Sequence, residues 1–134
     1  LKLMILNIMK NVSYKDFTGI TKLVKFAYET FEKLTHITVD DIISISQRFS
    51  DKYAPDTIDA SLLFLEMLIN IIEDSIKNKR YYSYREILTT IIEYRNKIIL
   101  EPTLRRKLLM FRLFYSISNS EGLSSNEGIK NIKK

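Results

Sequence analysis

Residues 77–115 concentrate the cations of this chain. They hold 10 of its 21 Lys and Arg residues against 3 acidic ones, together with 5 of its 8 tyrosines. Cations neutralise phosphates and aromatic rings stack on bases, so a basic segment interleaved with tyrosine is the composition of a nucleic-acid-binding surface. The candidates are Lys79, Arg80, Tyr81, Tyr82, Arg85, Arg95, Lys97, Arg105, Arg106, Lys107 and Arg112. Tyr81 and Tyr82 fall in an expected turn, where rings can stack, whereas Tyr84 and Tyr94 lie on an apolar seam and are expected in the core. A blander explanation covers part of this set. Lys77, Lys79 and Arg80 sit near the C-terminus of an expected helix, where positive charge is favourable without any ligand.

The run Arg105-Arg106-Lys107 is more telling. It falls in the first turn or so of an expected helix, where cations oppose the helix dipole. Cations beside free N–H groups at a helix start would suit a phosphate, and Glu101 offsets them only in part. The alternative is pairing with Glu66, Glu73 and Asp74, or with Asp40 and Asp41. The turns on either side of the helix expected at 83–99 are separated by roughly 24 Å, at about 1.5 Å per residue. The two basic clusters therefore make a stripe and not one pocket, and a stripe suits a polymer better than a metabolite.

Other chemistries find little purchase. Glu66, Asn70 and Glu73 share a helix face by spacing, but the di-iron pattern needs Glu-x-x-His elements, which are absent, so a solvated edge or ion-pair row is expected. The chain has no cysteine and one histidine, which removes thiol catalysis, disulfides and most zinc sites. His36, in Thr-His-Ile-Thr, has no partner at recognisable spacing. There is no Walker A, G-x-G-x-x-G, H-E-x-x-H or G-x-S-x-G motif, and three glycines leave little room for a phosphate-cradling loop. No cofactor, metal or catalytic residue is expected.

The element that positions everything else is a helix over about residues 57–77, apolar around most of its circumference and capped by Asp56 after Pro55. Around it the spacing predicts an amphipathic helix at 20–34, with Ile20, Leu23, Ala27, Phe31 and Leu34 on one face and Val24 and Tyr28 beside them. A loop is expected at 11–19, with a weak Ser13–Asp16 capping box and Gly19. Thr38, followed by Asp40 and Asp41, signals a helix start, with Val39, Ile42, Ile43, Ser46, Phe49 and Tyr53 on its buried face. Ser83-Tyr84-Arg85-Glu86 is a capping box opening the helix at 83–99. Pro102 sits in the first-turn position of a last helix at 103–117, whose expected buried face is Leu104, Leu108, Phe111 and Tyr115. Residues 1–10 read as a short helix or strand. The fold class is all-α: a compact bundle of five to six helices in a single domain over 1–117, followed by a flexible, basic-ended tail at 118–134.

Charge is divided along the chain. Residues 1–76 carry 8 basic and 11 acidic side chains, net −3, and residues 77–134 carry 13 and 5, net +8, within a formal total of +5. Such asymmetry points to a polyanionic partner. The longest apolar run, residues 60–72, is too short for the roughly 20 residues that span a bilayer. Residues 1–9 are followed by no small-residue cleavage site. An intracellular protein without membrane association is expected. The 20 isoleucines against 3 alanines suggest an AT-rich microbial, archaeal or viral source. The functional expectation is a non-enzymatic, nucleic-acid-binding accessory subunit of a replication, processing or packaging complex. The competing expectation is a protein-interaction adaptor or homo-oligomer that uses an apolar helix face left open by the bundle.

Overall fold

Asp59 starts the central helix. Its Oδ1 accepts the backbone N–H groups of Ser61 at 3.1 Å and Leu62 at 3.2 Å, and its carbonyl accepts that of Leu63 at 2.9 Å. A carboxylate there satisfies donors that have no partner within the helix. In the computed structural model, which describes residues 14–51, 59–79 and 83–119, the helix that follows is Ala60–Lys79. The order of elements is α1 (Tyr14–Lys33), a 3-10 turn (Leu34–His36), α2 (Val39–Ser46), α3 (Ala60–Lys79), α4 (Ser83–Leu100) and α5 (Arg106–Ser118). No strand occurs among the described residues. The all-α bundle expected from the sequence is the fold.

Helix α3 is buried as its composition demands. Leu63, Phe64, Leu65, Met67, Leu68, Ile69, Ile71 and Ile72 are all in the core. Glu66 and Asn70 are half-covered and Glu73, Asp74 and Lys77 are exposed, so the polar residues form the narrow stripe their spacing predicts. α1 and α4 pack against α3, and α5 packs against α2 and α4. At the centre, the Phe64 ring lies 5.0 Å from Phe26, 5.1 Å from Phe49 and 6.4 Å from Phe114. Aromatic contacts in this range add to the area they bury. One side chain of α3 thus touches three separate parts of the chain.

Several local expectations need correction. Helix α1 begins at Tyr14 and runs through Gly19, where a loop is expected, because the helix is long enough to absorb one poor helix former. The helix start expected at Thr38 is present and takes the form of a capping box: the Asp41 N–H donates to Thr38 Oγ1 at 3.1 Å, and the Thr38 N–H donates to Asp41 Oδ2 at 3.0 Å. On the eight-residue α2, however, Ile42, Ile45 and Ser46 face inward, with Phe49 just beyond it. Val39 and Ile43 are exposed. Tyr28 is exposed as well, its place in the core taken by Phe26 and Thr30. Expectations for residues 1–13, Tyr53, Asp56, residues 80–82 and the tail beyond 119 fall outside the described residues.

Helix α5 differs most. It starts at Arg106 and not at 103, because residues 102–104 form a turn closed by the Leu104 N–H donating to the Glu101 carbonyl at 3.1 Å. Its buried face is Arg106, Leu109, Met110, Leu113, Phe114 and Ile117. The expected face of Leu104, Leu108, Phe111 and Tyr115 is turned toward solvent, with only Leu104 half-covered.

Candidate nucleic-acid interface

The short connection at 101–105 folds α5 back along α4, and a trough runs between them. Its wide end, of about 860 Å³, is lined by Arg85 and Thr89 from α4 and by Arg112, Tyr115 and Asn119 from α5. The narrower end, of about 390 Å³, is lined by Lys97, Glu101, Arg105 and Leu108. Tyr94 and Arg112 line both, so the two hollows adjoin along the α4–α5 seam. Four of the eleven residues nominated by sequence, Arg85, Lys97, Arg105 and Arg112, therefore share one surface. Two carboxylates, Glu86 and Glu101, also border it.

The two threonine hydroxyls of the α4 wall are engaged by the helix's own backbone. Thr89 Oγ1 donates to the Arg85 carbonyl and Thr90 Oγ1 to the Glu86 carbonyl, both at 3.0 Å. The Lys97 ammonium lies 4.3 Å from the centre of the Tyr94 ring, a cation–π contact that holds it over the trough. Ion pairs among the described residues include Lys33–Asp41, Arg95–Glu66 and Arg106–Asp59. Arg105 and Arg112 are exposed and belong to none of them.

The remaining nominated residues do not join this surface. Arg95 donates from Nη1 to Glu66 Oε1 at 3.2 Å and from Nε to Asn96 Oδ1 at 3.3 Å, so its guanidinium is drawn toward α3. Arg106 is a correction. It is 3% exposed, and its Nη2 donates to Asp59 Oδ2 at 2.8 Å and to the Pro102 carbonyl at 2.7 Å, while Nη1 donates to the Leu104 carbonyl at 2.7 Å. A guanidinium so enclosed is a tie between the starts of α3 and α5 and cannot meet a ligand. The Lys107 side chain is exposed, but its backbone N–H donates to Asp51 Oδ1 at 2.8 Å. A carboxylate thus already caps the α5 N-terminus that the sequence offered to a phosphate. Lys79 is the last residue of α3, its side chain outside the described atoms, and Arg80, Tyr81 and Tyr82 are outside them altogether.

Sequence reasoning missed Asp51 and Asp59 as the partners of the Arg105–Lys107 run, looking instead to Glu66, Glu73, Asp74, Asp40 and Asp41. It also placed Tyr115 and Phe111 inside. Phe111 is 37% and Tyr115 53% exposed, with ring centres 6.3 Å apart and planes within 6° of parallel. No cluster of three potential metal ligands occurs among the described residues, and no described helix is long and apolar enough to cross a membrane. No family model, curated protein or solved structure matches the chain.

Proposed function

We propose that the chain is a non-enzymatic nucleic-acid-binding protein, acting as an accessory subunit of a larger complex, and that the α4–α5 trough is its binding surface. The observation that carries this reading is the row of Arg85, Arg112, Lys97 and Arg105 along one trough, against Glu86 and Glu101. Cations spaced along a groove follow a backbone of phosphates, each contact releasing condensed counterions. The division of charge between the first and second parts of the chain supports the same partner. Labelled single- and double-stranded oligonucleotides titrated across a salt series test it. Log K is expected to fall linearly with log salt, and no detectable binding at low salt would overturn the reading.

A second reading, an adaptor or homo-oligomer joined through an apolar face, is favoured by Leu100 and Ile99. They are 80% and 55% exposed at the end of α4. Light scattering tests it: a monomer at all accessible concentrations, with no loss of solubility, counts against it.

A further inference from the structure

We infer that the occupant of the trough is a single strand and not a duplex, with its phosphates on Arg85, Lys97, Arg105 and Arg112 and its bases stacked on Tyr115 in the trough wall and on Phe111 beside it. This rests on the nucleic-acid reading and adds to it the strandedness and the residues that impose it. On the solvent side of α5, helical spacing sets Phe111, Tyr115 and Leu108 side by side as one strip, with Lys107 along one edge and Arg112 and Arg105 along the other. The described residues leave the strip partly open: Leu108 is 47%, Tyr115 53% and Phe111 37% exposed, and the two rings are nearly parallel. Neither ring belongs to the buried face of α5, which is formed by Arg106, Leu109, Met110, Leu113, Phe114 and Ile117.

Rings bracketed by cations match a ligand that presents flat apolar faces and negative charge in alternation. An unpaired strand does so, because every base has a π-face open to an aromatic platform and every linkage carries a phosphate. A duplex hides its base faces in the stack and offers these rings nothing. The other device by which a helix grips duplex backbone is its free N-terminal N–H groups, and at the start of α5 one of these, that of Lys107, is already given to Asp51. Positive charge on both edges of the strip also sets two copies of this face against each other unfavourably.

The test is fluorescence anisotropy with the full chain on labelled oligothymidylate about 16 nucleotides long, the upper end of single-strand site sizes, and on the same strand paired with oligoadenylate. The single strand is expected to bind more tightly than the duplex. Tyr115→Ala is expected to weaken single-strand binding about tenfold while leaving duplex binding and the salt slope unchanged. Tyr115→Phe keeps the ring and is expected to keep the affinity. Tyr115→Leu, apolar but not planar, is expected to lose it. Thermal unfolding of each variant by circular dichroism identifies any loss that comes from misfolding, and Tyr115→Phe supplies a folded comparison.

Equal or tighter binding of the duplex overturns the single-strand inference and leaves the nucleic-acid reading standing. So does full affinity in Tyr115→Ala. Absence of binding to either form overturns both. A dimer in light scattering that Tyr115→Ala dissociates overturns the inference by assigning the strip to a second copy of the chain.

Discussion

At the scale of single residues, Arg106 and Arg112 carry the same charge and do opposite things. Arg106 reaches inward, where three acceptors from Asp59, Pro102 and Leu104 surround it. Removing it leaves the Asp59 carboxylate, 24% exposed in its side chain, and two turn carbonyls without their donor. Arg106→Ala is therefore expected to cost about 2–4 kcal/mol, the lower part reflecting the partial exposure of Asp59 and its remaining helix partners. Urea unfolding should show this as a lower midpoint with an unchanged slope. Thr30 makes the converse case. The residue is 1% exposed and its Oγ1 has no hydrogen-bond partner among the described residues. Thr30→Val replaces that hydroxyl with a methyl of similar shape and is expected to raise the unfolding free energy by about 1 kcal/mol. A lower value would mean that the hydroxyl is bonded after all.

At the scale of elements, the helices were legible where one face was clearly the apolar one. Thr38 followed by Asp40 and Asp41 announced the start of α2, and the near-continuous apolar run of 60–72 announced α3. Helix α5 was ambiguous in the sequence for a physical reason. Leu104, Leu108, Phe111 and Tyr115 recur with a helical period, but so do Arg106, Leu109, Met110, Leu113, Phe114 and Ile117. Periodicity shows that a helix has an apolar face and cannot choose between two. The face containing an arginine was the less obvious, and it is the one that packs. The Asp59 and Asp51 partnerships span 47 and 56 residues, and local spacing carries no trace of contacts that distant. Gly19 misled in the other direction, suggesting a loop inside what is a continuous α1. A Cβ added there would meet no atom within 4 Å apart from the neighbouring residues and the helix's own backbone. Gly19→Ala is thus expected to stabilise the protein by about 0.5–1 kcal/mol through helix propensity alone, measured as a raised melting temperature.

At the scale of the whole molecule, the bundle sorts its cations into two uses. Asp59 and Glu66 take up Arg106 and Arg95, fastening α5 and α4 to the central helix. Arg85, Lys97, Arg105 and Arg112 are set along the outer trough. The sequence could count these charges but not sort them, since the sorting depends on which carboxylates the fold brings near. The central claim is that the second group meets phosphates. It is tested most directly by the salt dependence of oligonucleotide binding in the native chain and in Arg105→Ala/Arg112→Ala, both exposed sites whose loss should leave the fold intact. Four single-strand phosphate contacts predict a slope of log K against log salt near about −3, falling to about half that in the double variant. An unchanged slope in the double variant would contradict the account, as would binding insensitive to salt.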